Sequence, residues 1–515
     1  MMAATFHVEN FGCRAARADG EAVSDRLRAA GLGSQSSVAA DVVVVNTCSV
    51  TAEADRAARA FIRRAHRFNP EARIVVTGCY AQRAPDELAG LDGVAAVVGN
   101  SHKALAPEII LNLLGCVQAH ADSGLTQLTQ IQAATKIERA IGEQLAPPQV
   151  VWADDRFAHS FLEEAQVVPG TQTRPNLKIQ EGCGNRCTFC VIPQTRGSSR
   201  SLTAASVLKQ VEGFVAAGGN ELVLSGINLG RWGWDLSASA DEGTFSGSWF
   251  PTHSAETSGM DGAPKVDSKT GSRDTLAGLV RQIFDSTALP RLRLSSIEPM
   301  DWDSELIGLM AEFGGTRLTR HAHMPLQSGS DAVLRRMHRR YRPWHYAEKV
   351  EALVRAAGPE LTLGADVMVG FPGETDAEFE ETLALVRALP FGYLHLFPFS
   401  PRPGTPGWAL HAERPVPVEV VAERMAVLRA LASEKSHKHR SSFVGCEIDA
   451  ITLHTPPELA ARGRTAALSE NFLPVECMGK IEANRLVQVR VTGLNADAEL
   501  QAVEAKPEFV SALSL

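Results

Sequence analysis

Three cysteines within eight residues constrain this chain more than any other feature: Cys183, Cys187 and Cys190, in the run Glu181-Gly-Cys-Gly-Asn-Arg-Cys-Thr-Phe-Cys190. Their spacing, C-x3-C-x2-C, is one thiolate short of a closed four-ligand site. A [4Fe–4S] cluster is normally held by four cysteine thiolates. Three ligands leave one iron open to a substrate or cofactor, much as an open catalytic zinc site differs from a closed structural one. A zinc knuckle is the competing reading, and it requires a fourth Cys or His at matching spacing.

The chain has 515 residues, which implies roughly three domains. A hydrophobic content of 44% is enough for real cores. No run of about 18 apolar residues is present, so no membrane span or membrane partner is expected. The N-terminus, MMAATFHVENFGC, lacks the basic region and apolar stretch of a signal peptide. Nine cysteines are too few for a secreted disulfide scaffold, and six of them sit where metal ligands would. A reducing, cytoplasmic setting follows as the expectation. The net charge of −8 is a poor footprint for nucleic acid, and no DNA partner is expected. Local patches remain: Arg335-Arg-Met-His-Arg-Arg-Tyr-Arg342 carries five arginines, with a solvated basic face as the plainer reading.

The first hundred residues alternate strand and helix patterns. Short β-rich runs occupy Phe6–Gly12, Val42–Asn46 and Arg73–Thr77, with amphipathic stretches near 21–30 and 51–66 between them. Such alternation argues for a parallel α/β sheet. Cys13, Cys48 and Cys79 each follow directly on a predicted strand. Open parallel sheets bind their ligands at that edge, so three thiols remote in sequence are expected to converge as a second three-ligand cluster site. A lone buried cysteine is more often plain core; the placement recurs three times.

Residues 116–172 read as a connector, with Cys116 inert within it. From 173 to 412 strand patterns recur at Asn176–Gln180, Glu221–Ser225, Arg291–Ser295, His321–Leu326, Leu363–Val369 and Tyr393–Pro398. Six βα units suit a partial (βα)6 barrel, whose active site lies at the C-terminal strand ends. The cysteine motif follows the first of those strands. Residues 237–272, rich in Gly, Ser, Thr and Asp, read as a surface insertion. A linker helix is expected over 413–440, ending in the basic Lys435-Ser-His-Lys-His-Arg440, and a small β-barrel over 441–515. His321 and His323, at i and i+2, share a strand face, but no third convergent metal ligand is evident. Cys446 and Cys477 read as thiols without a role.

With Phe189 directly before Cys190, the motif resembles that of the radical S-adenosylmethionine enzymes. The resemblance implies that the open iron chelates the amino and carboxylate groups of S-adenosylmethionine, whose reductive cleavage yields a 5′-deoxyadenosyl radical. Phe189 and the strand-end residues Ser225, Gly226, Asn228, Ser296, Glu298, Gln327 and Gly370 are the candidates to hold that cofactor. The glycines permit close backbone approach, and Gln327, Asn228 and Glu298 offer polar contacts. Turn or capping duty is the alternative for each short motif.

Over nearly its whole length the chain resembles the methylthiotransferase branch, with Cys48 in Val45-Asn-Thr-Cys-Ser-Val-Thr51 and Cys79 in Thr77-Gly-Cys-Tyr-Ala-Gln82. The resemblance implies two [4Fe–4S] clusters. Cys13, Cys48 and Cys79 would hold the auxiliary one in an N-terminal domain spanning 1–115, and Cys183, Cys187 and Cys190 the radical-generating one. The C-terminal barrel would be a TRAM-like RNA-binding module. Where the family usually has Asn and Glu after its first cysteine, this chain has Ala16 and Asp19. Arg293-Leu-Ser-Ser-Ile-Glu-Pro299, Leu224-Ser-Gly-Ile-Asn228 and His395-Leu-Phe-Pro-Phe-Ser-Pro-Arg402 look most like the branch acting on threonylcarbamoyladenosine in tRNA. That implies methylthiolation at carbon 2 of the nucleoside at position 37, with a flavodoxin- or ferredoxin-like electron donor and a sulfur source as partners. Other branches modify isopentenyladenosine in tRNA or a ribosomal-protein aspartate. A non-catalytic iron–sulfur RNA-binding or electron-transfer protein is the reading from another class. The 441–515 segment has six Lys/Arg against ten Asp/Glu, which shifts the expected RNA contact to 335–342 and 435–440.

Overall fold

The computed structural model describes residues 4–115, 150–155, 157, 173–236 and 274–505. The 237–272 insertion, Cys116 and most of the 116–172 connector lie outside them. The N-terminal sheet is built from β1 (Thr5–Asn10), β2 (Gly33–Ser34), β3 (Val42–Thr47), β4 (Arg73–Gly78), β5 (Val94–Gly99) and β6 (Val150–Trp152). All its pairings are parallel, in the order β2-β1-β3-β4-β5-β6. Val42 to Val45 are fully buried because helices cover both faces of the sheet. β6 falls inside the expected connector and pairs with β5, so the sheet recruits chain from beyond residue 115.

The central region forms β7 (Asn176–Glu181), β8 (Arg200–Ser201), β9 (Glu221–Gly226), β10 (Arg291–Leu294), β11 (His321–His323), β12 (Thr362–Val369) and β13 (Phe391–Pro398). Apart from the short antiparallel β8, six parallel strands form the expected partial barrel, in two hydrogen-bonded groups, β10-β9-β7-β8 and β11-β12-β13. Leu318 bridges the groups: Leu292 donates to Arg317 O, and Thr319 to Leu292 O. A closed five-stranded barrel follows, from β14 (Glu447–Thr452), β15 (Arg464–Ser469), β16 (Pro474–Met478), β17 (Leu486–Leu494) and β18 (Leu500–Glu504).

The turn between β15 and β16 closes the floor of the central barrel. Arg293 Nη2 donates to the carbonyls of Ser469 (3.3 Å) and Glu470 (3.0 Å), and Arg320 Nε donates to Glu470 at 2.7 Å. Phe472, in the left-handed region at φ 73°, carries the guanidinium groups of Arg14 and Arg293 over its ring, each at 5.2 Å. Arg14 belongs to the N-terminal domain, so all three domains meet at one ring. Arg293 also pairs at 2.9 Å with Glu221, and both side chains are fully buried.

The helix Val418–Ser441 packs along β13. Its basic end is not a free cationic face. Lys435 donates to the carbonyls of Arg387 and Leu389, and Arg440 to that of Ala498. His439 sits 2.8 Å from Thr362 Oγ1, and burial, with Arg440 adding repulsion, pushes its pKa down from 6.5 to about 4. Between those values the unfolded chain binds the proton and the folded one does not, so this stability is present above pH 6.5 and is lost as pH falls towards 4. His439→Gln is expected to flatten the acid limb of the stability profile by on the order of 2 kcal/mol after solvent screening. Urea melts at pH 7 and pH 5 check this; identical pH dependence in both proteins counts against it.

Candidate functional site

Cys13, Cys48 and Cys79 stand at the C-terminal ends of β1, β3 and β4, around the point where the strand order reverses. Cys13 caps the N-terminus of the helix Arg14–Ala29, and Cys79 opens the helix Cys79–Arg83. Both positions place a sulfur where a helix dipole favours negative charge. Two glycines allow the convergence. A Cβ on Gly12 (φ 109°) would stand 2.6 Å from Cys48 Cβ, and one on Gly78 (φ 98°) would stand 2.3 Å from Thr47 O. Burial, then the neighbouring Cys79 and Cys13, push the Cys48 thiol up to about 12. The contacts of Gly12 with Cys48 and of Gly78 with Thr47 bring the three cysteines to one edge of the sheet. Asn100 Nδ2 donates to Cys79 Sγ at 3.4 Å and Arg196 Nε at 3.2 Å.

Arg196 comes from the central domain, six residues after Cys190. It belongs to a buried cluster that spans the domain junction and that no local pattern announces. Lys103 Nζ donates to Asp19 (2.8 Å) and Glu181 (2.9 Å). Lys178 donates to the same two carboxylates, and Arg196 Nη1 to Glu181 and, at 3.1 Å, to Asp19. All five side chains are no more than 7% exposed. Burial opposes both carboxylates, yet the three cations hold Glu181 well below, and Asp19 below, the usual carboxylate range. Asp19 and Lys103 of the N-terminal domain thus tie it to Lys178, Glu181 and Arg196 of the central one. The cluster holds three cations against two anions, an excess of one positive charge beside Cys79.

The second trio leaves β7 two residues beyond Glu181. Cys183 N donates to Gly197 O (3.0 Å), and Cys190 N to Cys187 O (3.2 Å). Cys183 Sγ receives Asn185 N (3.4 Å) and Asn228 Nδ2 (3.7 Å), and Cys187 Sγ receives Arg339 Nη1 (3.3 Å). Burial pushes the Cys190 thiol up to about 12, so protons must leave when a metal centre binds. Among the described residues, no cysteine trio has its sulfurs all within 4.8 Å of one another. A single zinc would draw them to about 3.8 Å, the tetrahedral edge for a 2.3 Å Zn–S bond. Neither trio stands at that spacing.

The remaining expected site residues fall into three groups. Asn228 Oδ1 and Gln327 Oε1 are buried without a hydrogen-bond partner at the strand-end mouth, where a polar ligand would satisfy them. Glu298 lines a small cleft with Cys187, Arg339 and Tyr341, and it pairs with Arg339; Ser296 is half-buried two residues before it. Ser225, Gly226, Gly370 and Phe189 are held by the protein itself. Ser225 Oγ donates to Leu177 O at 3.4 Å, and a Cβ on Gly226 would stand 3.0 Å from Gln180. A Cβ on Gly370 would stand 2.5 Å from Val421, and Phe189 packs on the central core.

The arginine run is mostly spent internally. Arg336 pairs with Glu378 at 2.7 Å, Arg342 with Asp331 at 3.1 Å, and Arg339 with Glu298; Arg335 and Arg340 stay about half exposed. The expectation of a broad basic face over 335–342 is corrected accordingly. The partners lie far along the chain, so the run looks unpaired in sequence.

Arg196→Gln removes a buried guanidinium from two carboxylates and from Cys79. It is expected to cost roughly 3–5 kcal/mol in urea unfolding, the usual consequence of stranding buried charge. A loss under about 1 kcal/mol contradicts that role.

Residues 5–99 match the uncharacterized protein family UPF0004, and residues 270–386 match the radical SAM superfamily. The chain is 32% identical to the threonylcarbamoyladenosine tRNA methylthiotransferase MtaB of Bacillus subtilis (strain 168), across 95% of this chain and 94% of that protein. It is 30% identical to the protein of the same description from Aquifex aeolicus (strain VF5), across 94% and 99%. It is also 30% identical to the tRNA-2-methylthio-N(6)-dimethylallyladenosine synthase of Acidothermus cellulolyticus, across 95% and 83%. Cys13, Cys48 and Cys79 lie within the first matched region, Cys183, Cys187 and Cys190 lie between the two, and the family's cofactors are S-adenosylmethionine and [4Fe–4S] clusters. The chain belongs to the radical S-adenosylmethionine methylthiotransferases of the MtaB family.

Proposed function

We propose that this protein adds a methylthio group to carbon 2 of N6-threonylcarbamoyladenosine at position 37 of tRNA. The observation that carries the reading is the meeting of two three-cysteine sites at one domain junction, linked through Arg196. Cys183, Cys187 and Cys190 hold the cluster that takes S-adenosylmethionine, and Cys13, Cys48 and Cys79 the auxiliary cluster. When bound, these groups supply hydrogen abstraction from carbon 2 and the sulfur and methyl of the product.

The chain's own residues orient and insulate. Asn185 N and Asn228 Nδ2 donate to Cys183 and Arg339 donates to Cys187, which fixes the first trio against the barrel mouth. Asn228 Oδ1, Gln327 Oε1 and Glu298 are the groups assigned to the cofactor's amino, hydroxyl and methionyl parts; Phe189, Ser225, Gly226, Ser296 and Gly370 shape the surrounding walls. The N-terminal domain, the 173–412 barrel and the TRAM-like 441–515 barrel act as one enzyme. An external one-electron donor and a sulfur source complete the reaction in a reducing cytoplasm.

A second reading, methylthiolation of dimethylallyladenosine in tRNA, is favoured by the Acidothermus relative, whose identity is close to that of the MtaB proteins. Mass spectrometry of tRNA nucleosides from a strain lacking the gene separates the two. The proposal expects the methylthio form of threonylcarbamoyladenosine to vanish and its precursor to accumulate. Loss of methylthio-dimethylallyladenosine instead establishes the second reading, and an unchanged nucleoside pool overturns both. Iron counting on anaerobic protein tests the sites: about eight irons per chain, falling to about four when Cys13, Cys48 and Cys79 are changed to Ala. An unchanged count contradicts the assignment.

A further inference from the structure

Sequence alone leaves His321 and His323 without a third ligand. The barrel supplies two more groups from the neighbouring strands. Asp366 on β12 and His395 on β13 stand in register with each other, and Asp366 Oδ1 lies 3.3 Å from His323 Nε2 and 3.2 Å from His395 Nδ1. All three ligand atoms lie within 4.8 Å of one another, and this is the one such His/Cys/Asp/Glu set among the described residues. The geometry points to a divalent-metal site on the inner wall of the barrel, built from His323, Asp366 and His395.

Two arrangements compete for such a trio, a hydrogen-bonded His–Asp–His relay and a metal site. The relay requires both imidazoles to aim at the carboxylate. His395 Nδ1 does so. His323 Nε2 is buried 3.3 Å from Asp366 Oδ1 but falls outside hydrogen-bonding geometry with it. A ring nitrogen removed from water and left unpartnered needs an explanation, and a cation in front of it provides one. Ligand atoms bonded at 2.0–2.1 Å to a tetrahedral ion stand about 3.3–3.4 Å apart, close to the two separations observed.

The wall behind the trio is rigid. The ring of Tyr393 stacks on His323 at 6.0 Å and lies 5.2 Å from His395. His321, one layer lower, bonds Tyr393 Oη through Nε2 at 2.8 Å and lies outside the trio. His395 is 62% exposed, so the remaining coordination positions face open space. Two imidazoles and one carboxylate on one side of an ion suit Fe2+, Mn2+ or Zn2+ and leave positions free for an oxygen ligand. If the proposed substrate holds, the threonyl carboxylate is the oxygen ligand of matching charge. That last step rests on the functional reading; the metal site does not.

Mn2+ is the probe, because thiolates favour softer ions and leave it to nitrogen and oxygen donors. Cluster-loaded protein with its clusters oxidised is titrated with Mn2+ while the EPR signal of the free ion is followed. One Mn2+ is expected to bind per chain, with affinity at least tenfold weaker in His323→Gln and Asp366→Asn. Thermal melts and iron counts confirm that the variants are folded and loaded, and Asp366→Glu is expected to regain part of the affinity. Equal Mn2+ binding by wild type and both variants, or none by wild type, overturns the site. No tRNA enters this titration, so its failure and that of the substrate assignment are separately visible.

Discussion

The structure depends on a buried knot of five charges where the N-terminal sheet meets the central barrel. Asp19 and Lys103 come from one domain, and Lys178, Glu181 and Arg196 from the other. Ions taken out of water are costly, and only close pairing with every charge engaged makes such a group tolerable. Here each carboxylate receives all three cations. The arrangement fixes how the domains sit, because sliding either one would strand a charge in apolar surroundings. It also sets the relation between the cysteine trios: Glu181 stands two residues before Cys183, and Arg196 donates to Cys79. Its extra positive charge lies where an anionic iron–sulfur thiolate would need compensation.

The opposite end of the barrel is closed by different means. Phe472 holds the floor, clamped between two arginines, while Glu470 and the backbone around it bind Arg293 and Arg320. Thus the C-terminal barrel seals the floor, and Arg14 of the N-terminal domain reaches the same ring. A radical enzyme needs such enclosure, since the reactive species must meet its substrate before it meets solvent.

Much of this could be read from local pattern. The all-valine run at 42–45 announces a buried parallel strand, and the cysteines that follow three strands announce a shared edge. Strand positions in the central domain were legible for the same reason. What escaped is long-range. Asp19 and Arg196 are 177 residues apart, and nothing near either one predicts the other. The five arginines at 335–342 look like a surface patch because Glu298 and Glu378 sit elsewhere in the chain. His323 lacked a third ligand only until β12 and β13 were laid beside β11. β6 escaped because three residues carry too little periodicity to stand out.

The proposed function requires the two cysteine trios to hold clusters close enough to sense each other across the charged junction. EPR of the dithionite-reduced protein tests it directly. With both clusters reduced, the account predicts signals broadened by magnetic coupling, which sharpen to a simple S = 1/2 spectrum when either trio is removed. Two unbroadened signals that merely add would contradict it.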